Sequence, residues 1–539
     1  MSVVVVTGGA VGIGAAIAEE LGRQGAFVVT VDPGVALDGT PQDPSEAGTA
    51  GAARTTAQRI SDAGGQARAS NASVTDLDAI TALFGGLVDE FGALDAVVNV
   101  AGISRPTGFA TGAEADWRAV LDVHLQGYLN VLRAALPLMA AAGHGHVLGV
   151  TSGSGWRAAD AGAYSCAKRA VAALTWQLGA AAPPGVSVNA LSPIAATRMV
   201  LGALSQTPAI GTGTAASGGL ALGALPGPEA LGPIGAYLAS ERFASLANGR
   251  IMFSNGAELA CIGPPRLLEM VDLPGDASLP RRLDGLVAAA LAPAEAAQTS
   301  TGGSTPRLGE IPTAPVSTAG RRVAVVTGDP AWETALLGAL AARGCTTVVL
   351  DATPHGFDDT ATRLGDLDGP VDAIVVARRG AGGAHDGDSR WVTVLDEHTD
   401  LPAAIGDDAA WARAVADLAG ATGHPTRLVT VVDAADAGGR TRAQAAAQLS
   451  RAAPGATADL VDAFAVSVED ASATGRTNAA QLAAHLVCSP DAGALSGAEL
   501  AVTERWLGLR SHPHPAWTIS FAGPDVPDWV DGALARMID

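Results

Sequence analysis

The sequence predicts an α/β protein of two tandem, doubly wound parallel sheets. Three observations carry that expectation. β-Branched runs alternate with helix-forming stretches from the first residues onward, a glycine-rich turn joins the first strand to the first helix, and the opening pattern returns after residue 320. Such alternation places helices on both faces of a parallel sheet. At 539 residues the chain is also longer than one core ordinarily spans.

Residues 3–6 form a valine run that reads as the first strand, 15–23 hold good helix formers, and Phe27–Val31 is β-rich again. Residues 33–53 are rich in Pro, Gly, Asp and Ser and read as a loop insertion. Helices are expected near 54–63, 76–91 and 114–141, with strands at Ala96–Asn99, 147–151 and 186–191. The stretch 200–227, rich in Gly, Ala, Ser and Thr, is expected to form a mobile lid over a roomy substrate pocket.

A Gly/Ser/Thr/Pro-rich segment at 296–320 reads as a linker between a catalytic domain, 1–295, and a second domain, 321–539. Beyond it, the run from Val323 to Gly328 echoes that from Val3 to Gly8, and the segment from Trp391 to His398 parallels that from Trp117 to His124. Several ordered matches in series indicate two copies of one fold. The second copy lacks the later glycines of the turn and contains neither Tyr nor Lys. Bulky Trp332 and anionic Glu333 stand where small residues would let a phosphate approach, so this copy is expected to be degenerate and non-catalytic.

Composition excludes several functions. Hydrophobic residues make up 48% and charged residues 16%, as in a globular chain, and a net charge of −21 argues against nucleic acid or an anionic membrane as partner. Four dispersed cysteines form no CxxC, so neither a disulfide framework nor a zinc site is suggested. With no leader-like or membrane-spanning stretch, a cytoplasmic location is expected. His144 and His146, beside glycines, read as surface turn residues.

The turn Thr7-Gly8-Gly9-Ala10-Val11-Gly12-Ile13-Gly14 lies between a strand and a helix, the context that a dinucleotide loop requires. Gly8 permits the tight turn, Gly12 lets backbone approach a pyrophosphate, and Gly14 allows close packing of helix on strand, the Rossmann-like arrangement expected of both domains. Amides at the helix start then receive the phosphates. Asp32, ending the second strand with no arginine adjacent, suits the ribose hydroxyls of NAD and would repel a 2′-phosphate.

Lys168 is the chain's single lysine and stands four residues after Tyr164, one of three tyrosines. Tyrosine titrates near ~10, so a phenol acting as base needs a cation close by. Lys168, one helical turn away, would supply it. A hydroxyl at the preceding strand end, Ser152 with Thr151 and Ser154 as rivals, would hold the substrate oxygen. Hydride transfer from a carbinol carbon to nicotinamide, with Tyr164 as general base, follows from this set.

Taken in order, the glycine turn, the segment Asn99-Val-Ala101-Gly102, Ser152, Tyr164 and Lys168, Asn189 and Pro193 resemble the short-chain dehydrogenase/reductases over roughly residues 1–265. The resemblance implies that Asn99, Ala101 and Gly102 line the cofactor, that Lys168 also holds the nicotinamide ribose, and that Thr197 contacts the carboxamide. His124 occupies a slot where many members carry a catalytic Asn. Histidine there is similar to the 3-hydroxyacyl-CoA dehydrogenase unit of peroxisomal multifunctional enzymes, which implies a site role for His124. Departures are the 12-residue spacing from Ser152 to Tyr164, one short of the usual, Ala72 in place of an adenine-contacting Asp, and Ile194 in place of Gly.

The expected protein is an NAD(H)-dependent oxidoreductase interconverting a secondary alcohol and a ketone on an apolar substrate, a hydroxyacyl thioester or a steroid- or terpene-like alcohol. No basic cluster marks a CoA phosphate site. The alternatives are an NAD-using epimerase or lyase, and an NAD-binding sensor or scaffold. The second domain is expected to serve as an intramolecular pseudo-subunit, with assembly of two chains into a homodimer left open.

Overall fold

Four consecutive valines and a threonine give the first strand, β1 (Val3–Thr7), a side chain to bury on each face, and all five residues are buried. That is the pattern of a parallel strand covered on both sides. The computed structural model of the chain describes all residues except 42–48, 201–214, 218–219, 223–224, 274–278, 299–319, 354–355, 379–389, 522, 524 and 539. Most of the expected linker and most of the expected lid therefore lie outside the described residues.

The first half runs β1, α1 (Gly12–Arg23), β2 (Phe27–Val31), α2 (Thr49–Asp62), β3 (Gln66–Ser70), α3 (Leu77–Phe91), β4 (Ala96–Asn99), α4 (Glu114–Leu121), α5 (Gly127–Ala142), β5 (Gly145–Val150), α6 (Gly162–Ala181) and β6 (Val186–Pro193). After a short hairpin, β7 (Ala215–Ser217) and β8 (Leu220–Leu222), come α7 (Gly232–Leu238), β9 (Ile251–Ser254), β10 (Glu258–Gly263), β11 (Leu267–Asp272) and α8 (Leu279–Leu286). The expected loop 33–53 ends in the first residues of α2, and β3 was not anticipated. His146 is not a surface turn residue. It lies in β5, is 9% exposed and pairs with Glu241 at 2.9 Å.

The second half holds β12 (Arg322–Val326), α9 (Pro330–Ala341), β13 (Thr346–Leu350), α10 (Gly356–Gly365), β14 (Ala373–Arg378), α11 (Arg390–Glu397), α12 (Leu401–Thr422), β15 (Thr426–Asp433), α13 (Ala437–Ser450), β16 (Val461–Val468), α14 (Ala473–Cys488), β17 (Glu499–Val502), β18 (Trp506–Arg510), β19 (His514–Ser520) and α15 (Trp529–Ile538). Its Cys345 and Cys488, 143 residues apart, bring their Sγ atoms within 3.3 Å, a neighbourhood that sequence separation hides.

The two sheets repeat one strand order. The first reads β19-β10-β9-β6-β5-β4-β1-β2-β3 and the second β11-β18-β17-β16-β15-β14-β12-β13. The protein is thus two Rossmann-like α/β units, each parallel through its centre and antiparallel at one edge. The edge strands are exchanged. β19, from the end of the chain, pairs with β10 of the first sheet, and β11 pairs with β18 of the second.

Helices follow the same exchange. Leu283, Leu286 and Leu291 pack into the core of the second sheet, whereas Val530 and Leu534 of α15 pack into the first. The contiguous boundaries 1–295 and 321–539 therefore do not coincide with the two folded units. An edge strand pairs with whichever open ladder lies beside it, and chain order does not decide that.

Between the units α6 packs along α13, and α4 along α12. One apolar core runs across this junction, joining Trp117, Leu125 and Val171 to Phe357, Trp411 and Leu449. Arg169 of α6, 1% exposed, pairs with buried Glu499, which also accepts from His512 at 3.0 Å. Among the described residues no helix is long and apolar enough to cross a membrane, and no His, Cys, Asp and Glu group is arranged to hold a metal ion.

Candidate active site

The glycine turn sits at the carboxyl end of β1, where ligands enter doubly wound sheets. Thr7 Oγ1 donates to Asn99 Oδ1 at 2.7 Å and accepts from the Ala101 amide at 3.3 Å, tying the turn to the end of β4. Gly8 has φ +64°, and a Cβ on it would lie 2.8 Å from the Ala101 nitrogen. A side chain on Gly14 would collide with the Gly8 carbonyl, which is why helix and turn meet so closely. Gly12, at φ +61°, faces open space bounded by Thr197 Cγ2 at 4.0 Å. Val11 at the head of α1 supplies no capping side chain, so the first-turn amides are left to a ligand. Glycines, uncapped amides and facing Thr197 fit a pyrophosphate.

Asp32 accepts from the Gly34 amide at 2.9 Å. Burial raises its pKa, against the Gly34 and Ala10 amides and the charge of Arg198. The sequence shows no arginine beside Asp32, yet the fold brings one within electrostatic reach, from the segment after β6.

On α6, Tyr164 and Lys168 lie one turn apart, with Lys168 Nζ 5.7 Å from the phenol ring centroid. Nζ donates to the Val150 carbonyl at 2.7 Å, and burial brings its pKa down to about 7. Burial raises the pKa of the Tyr164 hydroxyl, and the nearby Ser152 side chain lowers it by less, so the net shift is upward. The Lys168 cation expected to make this phenol acidic is opposed here by burial. Burial disfavours the charged form of both groups, the Tyr164 phenolate and the Lys168 ammonium. Of the three hydroxyls weighed, Ser152 is the one that meets the phenol; Thr151 donates instead to the Lys168 carbonyl at 2.6 Å.

His124 lies in a wide turn, Asp122–Gln126, where the Gly127 amide reaches back five residues to the Asp122 carbonyl between α4 and α5. Such π-turns interrupt helices at functional sites. Its ring meets Tyr164 edge to face, centroids 5.1 Å apart at 87°. Nε2 lies 2.8 Å from the Ile103 carbonyl and 3.1 Å from the Ile103 amide, while buried Nδ1 has no partner among the described residues. Burial, then the charge of Lys168, pushes its pKa to about 3, so the ring is neutral. Any side chain on Gly102 would strike Cε1 of this ring. Ile103 and Thr7 were not singled out from sequence, because their partners lie 21 and 92 residues away.

The matching turn of the second half is closed from within. Asp329 accepts from the Ala331 amide at 2.7 Å and the Trp332 amide at 3.4 Å. Trp332, expected to block the turn, instead lies in the core at 3% exposure, under the Arg476 guanidinium. The obstruction is the Asp329 carboxylate. His398, matching His124, is spent on Thr441 Oγ1 at 2.8 Å.

Fold and site together define an oxidoreductase of the nicotinamide-nucleotide class. The description "short chain dehydrogenase" matches residues 2–206. The chain is 38% identical over 201 residues to the short-chain reductase protein NovJ of Streptomyces niveus, covering 37% of this chain and 71% of that one. It is 36% identical to cis-4-hydroxycyclohexanecarboxylate dehydrogenase of Sinomonas cyclohexanicum, over 48% of this chain and 96% of that one. The N-domain of bacterial malonyl-CoA reductase, solved with NADP, shares the fold across 90% of this chain and 95% of its own, with a TM-score of 0.64 at 17% identity. The chain belongs to the short-chain dehydrogenase/reductase family.

Proposed function

We propose that the chain interconverts a secondary alcohol and a ketone with NAD(H), using Tyr164, Ser152, Lys168 and His124 around the glycine turn. The observation that carries this reading is the Tyr164 phenol set one turn from the only lysine, with Lys168 Nζ 5.7 Å from its ring centroid and the His124 ring edge to face against it. Gly8, Gly12, Ile13, Gly14, Asp32, Asn99, Ala101, Gly102 and Thr197 would hold the cofactor, whose nicotinamide takes or gives the hydride. Ser152 orients the substrate oxygen, and Tyr164 takes the hydroxyl proton during oxidation and returns it during reduction. Protonated Lys168 offsets the desolvation of the phenolate. Neutral His124, with Nδ1 unpaired, offers an acceptor beside the Tyr164 ring.

NAD is the cofactor favoured by the Asp32 carboxylate, which repels a 2′-phosphate; Arg198 opposes that preference without removing it. The hydroxycycloalkane named in one relative favours a carbocyclic alcohol among the apolar substrates expected from the sequence. The second half acts as a non-catalytic pseudo-subunit, supported by its self-capped turn and by the packing of α13 on α6.

A panel of secondary alcohols followed by NADH absorbance, with NAD and NADP in parallel, tests the reading. Turnover is expected with NAD preferred about 10-fold or more, and Tyr164→Phe should lower kcat by roughly 10²–10⁴. Cofactor binding without turnover of any alcohol or ketone would overturn it, and racemisation without free NADH would point to an epimerase.

A further inference from the structure

The loop between β5 and α6 carries Ser152, and its backbone is only partly satisfied within the first half. The Ser152 carbonyl accepts from the Gly155 amide at 2.9 Å, and the Gly153 carbonyl from the Trp156 and Arg157 amides at 3.2 and 3.1 Å. The next carbonyls turn toward the second unit. Gln448 of α13 donates through Nε2 to the Ser154 carbonyl at 3.0 Å and to the Arg157 carbonyl at 2.7 Å. Arg451, just past the end of α13, donates to the Trp156 carbonyl at 2.5 Å. Arg169, which donates to the Gly155 carbonyl at 3.5 Å, is itself gripped by Gln444 and Glu499 of the second half. Gln448 is 2% exposed and Trp156 1%, so water has no ready access to the Trp156 contact, whereas Ser154 and Arg157 are partly exposed.

We propose that Gln448 and Arg451 are positioning residues for the reaction: the second half, with no catalytic residue of its own, holds the Ser152 loop in the register that sets the Ser152 hydroxyl against the Tyr164 phenol. This rests on the proposed function of Ser152 and Tyr164 and assigns the second half a part in it. Without those donors the Ser154 and Trp156 carbonyls lose their partners, each at a cost comparable to a lost hydrogen bond, and the Arg157 carbonyl keeps only the Ala159 amide at 2.8 Å. The loop would then relax toward water and carry Ser152 with it. The glycine turn, at the end of β1, is tied to Asn99 and Ala101 rather than to these donors, so cofactor affinity is expected to be independent of them.

The test uses the full chain with Gln448→Met and Arg451→Met, which keep side-chain volume and remove the donors, with Arg451→Lys as the conservative variant. Two readouts are taken. Amide exchange of the peptide spanning residues 152–161 should speed at least about 10-fold in the Met variants, with peptides from β12 to β16 unchanged. With a substrate from the alcohol panel, kcat should fall about 10-fold for each variant, NAD affinity should hold, and Arg451→Lys should recover part of the loss. Unchanged exchange in that peptide overturns the inference, as does loss of protection spread across the whole second half, which would mark a structural role only. If the wild type turns over no alcohol, the proposed function fails by itself, while the exchange measurement still decides whether the second half holds the loop.

Discussion

Lys168 shows how one residue sets stability against chemistry. Its amine is 4% exposed, and burial brings its pKa from 10.5 to about 7. The unfolded chain therefore binds more protons at this position than the folded chain between about pH 7 and pH 10.5. Stability attributable to Lys168 rises with pH across that window, and the penalty for burying its charge is fully present below pH 7. Lys168→Met should remove that dependence and raise Tm at pH 7 by about 2–4 °C while abolishing turnover. Thermal unfolding of both proteins at pH 6 and pH 9 measures it, and a variant less stable than wild type at pH 6 contradicts the burial argument. Gly102 offers a second case. Gly102→Ala should cost about 1–3 kcal/mol through its collision with the His124 ring, and most of that cost should vanish in a His124→Ala background.

Among elements, the two glycine-turn helices are the instructive pair. α1 starts with uncapped amides, whereas α9 starts with the Asp329 carboxylate already seated on its amides. A cap of this kind is worth about 1 kcal/mol, so Asp329→Ala should lower stability by roughly that amount. NAD should bind at one site per chain before and after the change, and titration calorimetry giving two sites would refute the degenerate reading. What could be read from the sequence follows the same division. Spacing within one element was legible: the glycines, the pairing of Tyr164 with Lys168, and the valine strands. β3 was missed because its residues, Gln66 to Ser70, include no β-branched or aromatic side chain and alternate polar residues only with small alanines. His146 was misread because a histidine next to a glycine has no local mark of burial. The Asp329 cap was passed over for Trp332, since bulk is visible in a sequence and side-chain direction is not. Gln448 and Arg451 meet the Ser152 loop across more than 290 residues, and no local pattern announces that.

At the scale of the whole molecule the halves are not separable. A fragment ending near residue 295 would leave β10 without β19 and strip β11 and α8 of their partners, exposing two open edges and an apolar helix face. It should be insoluble or inactive alone. Co-expressed with a fragment from about residue 320 onward, it should recover a stable, active 1:1 complex, because the chain crossing 299–319 is dispensable once the exchanged strands pair. Gel filtration and activity of the co-expressed pair check this, and a soluble, fully active fragment 1–295 would count against it.

The exchanged strand β19 also bears on how the protein is made. The ribosome finishes β10 at Gly263 but does not reach His514 until some 250 residues later (514 − 263 = 251). At about 5–20 residues per second, the first sheet waits roughly 12–50 s with an unpaired edge. During that interval the edge is open to any passing strand, including β19 of a neighbouring nascent chain. Slow synthesis or crowded polysomes should therefore divert this protein into interlocked dimers, a hazard set by the order in which its strands are born.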